Sequence, residues 1–371
     1  MLFLFSDTGG GHRSAAEAVI EAIHLEFGDA ISTEMVDIFK EYAPMPFDRF
    51  PDLYPVVVRV PQLWGLGYRL SDGPRRVSIL HRSTWPYIRR SFRTLVHQHP
   101  SDLIVSVHPL ANAPMLRALG DEHPPYITIV TDLVTTHAFW YHPGVDLCIV
   151  PTENARQRAL KAGLHPDQVR VVGLPVTDRF CQPVGDRLAL RRDLGWPEDR
   201  FTVLLVGGGE GMGPLEEIAT AIAESGLPLS LVVVCGRNAR LRARLEARPW
   251  PIPAAVYGFV REMPAFMRAA DVLITKAGPG TISEALNAAL PMILYSRLPG
   301  QEDGNVPYIT ESGAGIWAPE MAQIVNALRV WQTNAAAYAQ AQQACRSLAR
   351  PGAAREIART LAAYLKIPNV I

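Results

Sequence analysis

The sequence is poor in the devices that staple small or secreted folds. Its 371 residues contain four cysteines, Cys148, Cys181, Cys235 and Cys345, and no two of them form a CxxC pair. A zinc ribbon or a thioredoxin-type motif is thereby excluded, and scattered single thiols fit a reducing cytoplasm. No apolar run reaches the ~18–20 residues that cross a bilayer, so no transmembrane helix is expected. The opening MLFLFSD is too short for a signal peptide and runs straight into a glycine turn. The chain is therefore expected to be soluble or peripheral. Net charge is missing too, because 36 Lys and Arg balance 36 Asp and Glu. A polyanion-binding protein would carry a basic excess, so nucleic acid is not an expected partner. Hydrophobic residues at 48% exclude a disordered chain, and the length suits two domains of roughly 100–200 residues.

What is present is one local pattern, used twice. Residues 1–5 are a short apolar run, read as a buried strand. The turn SDTGGGH (residues 6–12) follows, and then a helix over 13–27 in which Ala15, Val19, Ile20, Ile23 and Phe27 share a face. Strand, glycine turn and helix in succession open a doubly wound α/β domain. Further strands are expected at 103–107, 127–130 and 147–150, and a helix at 152–162 that ends on Gly163. The second series starts with a strand at 201–206, a glycine turn at 207–213 and a helix at 215–225. Strands at 229–235, 255–258, 272–275 and 291–295 continue it, with helices at 239–246, 263–269 and 281–288. The expected fold is α/β, with two Rossmann-like domains joined near residues 175–200. The expected boundaries are 1–175, 176–345 and a C-terminal helical segment at 346–371. The amphipathic helix of that segment, at 353–364, can dock on either domain, the first being the expected one.

Between Tyr42 and His97 the composition changes. This stretch holds nine Arg, no Lys or Glu, and three Asp, a formal charge of +6 that leaves −6 for the rest of the chain. Seven prolines and nine aromatics are interleaved with the arginines. Basic and aromatic residues together suit a surface that meets anionic lipid headgroups. The alternative is an irregular helical insertion whose aromatics pack on the sheet and whose arginines are merely solvated.

Several loops have the chemistry of a ligand site. Gly9, Gly10 and Gly11 let the backbone approach a ligand, and the helix start beyond them offers N–H groups to an oxyanion. The turn is neither a dinucleotide fingerprint nor a Walker loop, because His12 stands where those patterns need other residues. An imidazole there can serve as a general base, or can simply cap the loop. Gly207, Gly208, Gly209, Gly211 and Gly213 crowd into seven residues before a helix, which suits a pyrophosphate cradle. Gly278 and Gly280, followed by Thr281, open another helix. Glu284 on its first turn can accept two vicinal ribose hydroxyls or be an ordinary N-terminal acid. Gln301, Glu302 and Asn305 form a polar loop able to hold sugar hydroxyls. Thr131 and Asp132 follow a strand at the edge where open α/β sheets bind ligands. His108, His137 and His142 lie near them, without metal-ligand spacing, and read as cleft-lining or structural groups.

Apart from His108, these residues fall within eight ordered blocks: SDTGGGHRSAAEA (6–18), TDLVTTHAFWYHPGVD (131–146), GLPV (173–176), GGGEGMGPLE (207–216), CGRN (235–238), GFV (258–260), TKAGPGTISEA (275–285) and GQEDGNVPYI (300–309). Together they resemble the monogalactosyldiacylglycerol synthases and related bacterial diacylglycerol glucosyltransferases of glycosyltransferase family 28. The resemblance implies a GT-B fold with the active site in the cleft between two Rossmann-like domains. It implies an inverting transfer of a hexose, galactose being favoured, from a UDP-sugar to the sn-3 hydroxyl of 1,2-diacylglycerol. The product is a β-monoglycosyldiacylglycerol. A glucosyl donor with processive transfer, the undecaprenyl-linked acceptor of peptidoglycan synthesis, and a silent nucleotide-sugar-binding protein are the alternatives.

By the same resemblance His12 is the catalytic histidine. Gly207, Gly208, Gly209 and the turn Gly278, Gly280, Thr281 cradle the diphosphate. Phe259 and Val260 bind the uracil, Glu284 the ribose, and Gln301 and Glu302 the sugar, with Asn305 completing the motif. Gly10, Gly11, Asp132 and His137 lie on the acceptor side. Plant relatives often carry a basic residue after GLPV, where this chain has Thr177. Either Arg237 or Lys276 takes over its contact with a donor phosphate, or that contact is absent. No cofactor or metal is expected. The expected partners are UDP-hexose, diacylglycerol and an anionic lipid surface met by the Tyr42–His97 region. The expected place is the cytoplasmic face of the cell membrane.

Overall fold

The computed structural model describes residues 1–8, 10–49, 52, 60–183 and 185–365. Gly9, Phe50 and Tyr54, which the sequence reading singled out, lie outside the described residues. Leu2–Phe5 (β1) is buried along its whole length, as a parallel strand covered on both faces must be. It belongs to a six-stranded parallel sheet with Glu34–Asp37 (β2), Ile104–Ser106 (β3), Tyr126–Ile129 (β4), Leu147–Val150 (β5) and Val169–Val171 (β6). The strand order is β2-β1-β3-β4-β5-β6. On one face Phe3 and Phe5 pack with Val19 and Ile23 of the helix Gly11–Phe27 and with Ile357 and Leu361 of the helix Ala353–Tyr364. On the other, Leu2 and Leu4 meet Phe92 and Leu95 of the helix Pro74–Gln98, with Met115 and Trp140.

The second sheet is built alike from Phe201–Val206 (β7), Leu229–Val234 (β8), Ala254–Tyr257 (β9), Val272–Lys276 (β10), Met292–Ser296 (β11) and Gly315–Trp317 (β12). Its order is β12-β11-β10-β7-β8-β9, all parallel. Read from β9, this is the strand order of the dinucleotide-binding fold. In each sheet the order reverses next to the first strand, between β1 and β3 and between β7 and β10. Such switch points leave a crevice at the carboxyl ends of the strands, and that is where open α/β sheets take ligands.

The chain forms two compact units, Met1–Asp178 with Leu298–Gly304 and Gly352–Ile371, and Arg179–Arg297 with Asn305–Pro351. This grouping departs from a contiguous division in two places. The loop Leu298–Gly304 belongs with the first unit, as does the last helix. That helix is clamped to the first one through Arg355 and Arg359, which both bond Glu26, while Arg355 also bonds Asp178.

The first helix starts at Gly11, two residues earlier than its apolar periodicity indicates, so His12 lies in its first turn. The arginine-rich stretch is largely helical, with Pro61–Ser71 followed by the 25-residue helix Pro74–Gln98. Pro86 is tolerated inside the latter because its outer face meets solvent, where a carbonyl that loses its partner is hydrated. Phe92 is buried in the core, but Tyr87 is exposed, as are Arg69, Arg75, Arg76, Arg82, Arg89, Arg90 and Arg93. The shorter helix leaves Leu63, Leu66 and Leu70 more than half exposed along one stripe.

Candidate active site

In the first unit, the switch point gathers side chains from the ends of three strands. His12 follows β1, His108 follows β3, and Thr131 and Asp132 follow β4. The rings of His12 and His108 meet edge to face, 4.6 Å between centroids. His12 Nδ1 shares a 2.7 Å hydrogen bond with Thr131 Oγ1. Burial pushes the pKa of His12 down to about 4, against the Val107 carbonyl, which favours the protonated ring. At neutral pH the imidazole is therefore uncharged, as a proton acceptor must be. His108 is held well below its usual range, first by burial and then by His12. Its Nδ1 accepts the Leu110 N–H, and its Nε2 bonds Thr8 Oγ1.

Asp132 is buried beside this group. One of its oxygens accepts the indole N–H of Trp140 at 2.7 Å, and the other accepts the side-chain amide of Gln301 at 2.8 Å. Burial raises its pKa to about 6, and these two bonds oppose the rise. The Trp140 ring lies 5.9 Å from that of His12. Sequence reasoning passed over Trp140, because nothing local marks an indole whose partner is eight residues back.

Gln301 comes from the loop Leu298–Gly304, which closes on itself. Glu302 turns inward and accepts the Leu298 N–H at 2.6 Å, and Asp303 accepts the Gly300 N–H at 3.0 Å. Glu302, next to Gln301, thus helps to shape the loop. The helix Pro61–Ser71 holds the loop from outside. A Cβ on Gly65 would come within 2.7 Å of Pro299 Cβ, and one on Gly300 within 2.8 Å of the Tyr68 ring. Arg69 pairs with Asp303 at 3.2 Å, and Thr135 Oγ1 accepts the Gly304 N–H at 2.8 Å. No sequence signal links residues 65 and 299.

His137 is used elsewhere. It accepts the Phe139 N–H, stacks on the Phe139 ring, meets Tyr68 edge to face and bonds Ser71. These contacts seat the inserted helix against the loop that carries His137. Gly10 takes φ +77° at the N-cap of the His12 helix, and the space beside Gly10 and Gly11 is open.

In the second unit, the carboxyl ends of β7 to β10 converge. The glycine loop after β7 lies against the loop after β8, and a Cβ on Gly211 would sit 1.9 Å from the Cys235 carbonyl oxygen. With φ +59° as well, that position accepts only glycine. Arg237 bonds Glu210 at 2.6 Å and lies 5.0 Å over the exposed ring of Phe259, with Val260 next in the bend after β9. The Lys276 side chain, at the end of β10, comes close to Gly208. Arg237 and Lys276 thus both lie beside the glycine loop. Gly278 caps the helix Pro279–Asn287, with Gly280 and Thr281 in its first turn. The N–H groups of such a turn have no partner inside the helix. Half-buried Glu284 lies one turn on, its pKa raised to about 7 by burial. Asn305 donates to the Ala277 carbonyl at 2.9 Å, fixing the next helix to the end of β10.

Comparison with known proteins ties these two halves to one family. The family profile described as monogalactosyldiacylglycerol (MGDG) synthase matches residues 12–176, and that of the glycosyltransferase family 28 C-terminal domain matches 202–350. Over 345 residues the chain is 41% identical to the probable monogalactosyldiacylglycerol synthase 2 of Oryza sativa subsp. indica, a match that spans 90% of this chain and 73% of that protein. The chain belongs to the monogalactosyldiacylglycerol synthase family. Another member, monogalactosyldiacylglycerol synthase 2 of Arabidopsis thaliana, is 39% identical over 374 residues, 97% of this chain and 80% of that protein.

Among solved structures, Acinetobacter baumannii MurG superposes with a TM-score of 0.65 at 15% identity, over 98% of this chain and 99% of that one. A putative UDP-N-acetylglucosamine 2-epimerase from Listeria monocytogenes gives 0.64 at 14% identity, over 98% and 96%. At such identities the likeness speaks for the fold, which is the expected GT-B class. The expected cytoplasmic face of the cell membrane is corrected by the relatives, which are chloroplastic proteins. Among the described residues, no helix is long and apolar enough to cross a membrane.

Proposed function

We propose that the protein transfers galactose from UDP-galactose to the sn-3 hydroxyl of 1,2-diacylglycerol and inverts the anomeric centre. The observation that carries this is the match to monogalactosyldiacylglycerol synthases along nearly the whole chain, His12 included. His12 takes the acceptor hydroxyl proton as that oxygen attacks the anomeric carbon. The bond from this carbon to the diphosphate oxygen breaks, and UDP departs with the electron pair. A base and a stabilised leaving group are what such a transfer needs. A neutral imidazole held by Thr131 suits the first role. The glycine loop and the start of the helix Pro279–Asn287 suit the second, since their N–H groups favour an anion. Phe259 and Val260 bind the uracil, Glu284 accepts the ribose hydroxyls, and Gln301 contacts the hexose. The transfer runs without a metal, so a chelator leaves turnover unchanged.

The same reading places the arginine-rich helices against a lipid surface. Leu63, Leu66 and Leu70 form an apolar stripe on the shorter helix, and the helix that follows exposes Arg75, Arg76, Arg82, Arg89, Arg90 and Arg93. A groove of about 660 Å³ along Arg89, Arg90, Arg93 and His97 adds basic surface for headgroups. Incubation with diacylglycerol and either UDP-galactose or UDP-glucose, with the product sugar read out, tests the activity. A galactosyl product is expected. A glucosyl product overturns the donor assignment, and no product with either donor overturns the reaction.

A further inference from the structure

We propose that Asp132 is a positioning residue of the transfer, holding the Gln301 amide by its nitrogen so that Oε1 is left to accept a hydrogen bond from a hydroxyl of the donor hexose. The inference rests on the function proposed above and assigns a polarity to one of its contacts. An indole N–H can only donate, so the bond from Trp140 Nε1 fixes Asp132 as an acceptor on that oxygen and orients the carboxylate. The other oxygen of the ionised group accepts as well, and therefore takes the NH₂ end of Gln301, at 2.8 Å. The amide carbonyl is left over. Gln301 Oε1 is buried and has no hydrogen-bond partner among the described residues. Buried polar atoms are nearly always paired, and one that is not calls for an explanation. A carbonyl oxygen supplies only acceptance, so its missing partner is a donor, and a sugar hydroxyl is the donor this reaction brings.

The loop gives this orientation a rigid base. Glu302 and Asp303 bond the N–H groups of Leu298 and Gly300, and Thr135 bonds that of Gly304. These bonds fix the backbone on either side of Gln301. Rotation about its last torsion exchanges O for N, and the bond to Asp132 decides which end faces the carboxylate. The pKa of Asp132, near 6, keeps the carboxylate ionised at neutral pH and above.

The test is a polarity swap. In Asp132→Asn the indole still demands an acceptor, so the new side chain gives its oxygen to Trp140 and its NH₂ to Gln301. The glutamine must then turn its carbonyl inward and present NH₂ to the sugar. The sugar hydroxyl must then turn from donor to acceptor, and the KM for UDP-galactose is expected to rise about fivefold, the scale of one hydrogen bond. Affinity for UDP, which lacks the hexose, is expected to stay within about twofold of the native protein. The double variant Asp132→Asn, Gln301→Glu restores complementarity, because the glutamate accepts from Asn and still offers an oxygen to the sugar. Most of the loss in KM is expected to return. A merely structural role for Asp132 would weaken UDP and UDP-galactose alike and show no rescue, and that result overturns the inference. So does an unchanged KM in Asp132→Asn. If Asp132→Asn has no folding transition, Gln301→Glu alone carries the test, because it sets two carboxylates face to face. There too a higher donor KM with unaltered UDP affinity supports the inference, and an unchanged KM overturns it. A native protein that turns over no UDP-hexose overturns the proposed function and, with it, this inference.

Discussion

His12 and Thr131 are 119 residues apart in the chain and share a hydrogen bond of 2.7 Å. The contact joins the helix that leaves β1 to the loop that leaves β4, and it aims the imidazole from the side. Thr131→Val keeps the shape of the side chain and removes the hydroxyl. One hydrogen bond is worth about 1 kcal/mol, so kcat should fall roughly fivefold to tenfold. UDP affinity should not change, because every group assigned to UDP belongs to the second unit. Steady-state kinetics and calorimetry with UDP check both halves of this outcome.

The pH dependence follows from two pKa shifts of opposite sign. Burial lowers that of His12 to about 4, so the base is already free throughout pH 6–9, and kcat should be flat over that range. An acid limb near 6.5, the ordinary histidine value, would contradict this. Burial raises that of Glu284 to about 7, so its carboxylate forms only as pH climbs through that value. Ionised, it accepts from two ribose hydroxyls; protonated, it has less acceptor capacity. UDP affinity should therefore rise between pH 6 and 8, and Glu284→Gln should abolish the rise. The stability effect of His12 has a definite sign too. A lowered folded pKa contributes stability above the unfolded value and loses it as pH falls through about 6.5 toward 4.

Two glycines in the helix Pro61–Ser71 make a matched pair. The position of a Cβ on Gly67 is open, whereas one on Gly65 strikes Pro299 at 2.7 Å. Alanine is a better helix former than glycine by about 1 kcal/mol. Gly67→Ala should raise Tm slightly and leave kinetics alone. Gly65→Ala should displace the sugar-contacting loop and raise the KM for UDP-galactose without altering UDP affinity. Equal effects of the two substitutions would deny the contact between helix and loop.

The apolar stripe of the same helix gives a lipid prediction. Burying a leucine side chain is worth roughly 1.5–3 kcal/mol. Replacing Leu63, Leu66 and Leu70 together by Ser should reduce binding to vesicles at least about tenfold, as read by sedimentation. Anionic lipid should strengthen native binding and salt should weaken it, since the helix that follows exposes a series of arginines. Binding indifferent to all three would leave these helices as packing alone.

The strands that sit in the middle of each sheet were legible because they are continuous apolar runs, and the glycine loops because β7 and β1 end directly in them. The short strands β2, β6 and β12 escaped. Glu34 is exposed and Val169–Val171 is only partly buried, so neither has the run of apolar residues that marks a central strand. The helix Pro74–Gln98 was hidden by its own prolines and arginines, which read as irregular until the buried Val77, Phe92 and Leu95 are seen on one side. Of the site, the residues beside glycines were visible, whereas the contacts of Tyr68 with Thr135 and Gly300, and of Gln301 with Asp132, join residues far apart along the chain. Periodicity carries information over a few turns only, and these contacts are set by which strands lie side by side.

The central claim is that His12 takes the proton from diacylglycerol as galactose is transferred. The most direct measurement is formation of galactosyldiacylglycerol from UDP-galactose and vesicle-borne diacylglycerol, by the native protein and by His12→Ala side by side. The account predicts a β-linked galactosyl product from the native protein, and at least ~100-fold slower turnover in the variant with UDP affinity retained. Near-native turnover in His12→Ala would contradict it.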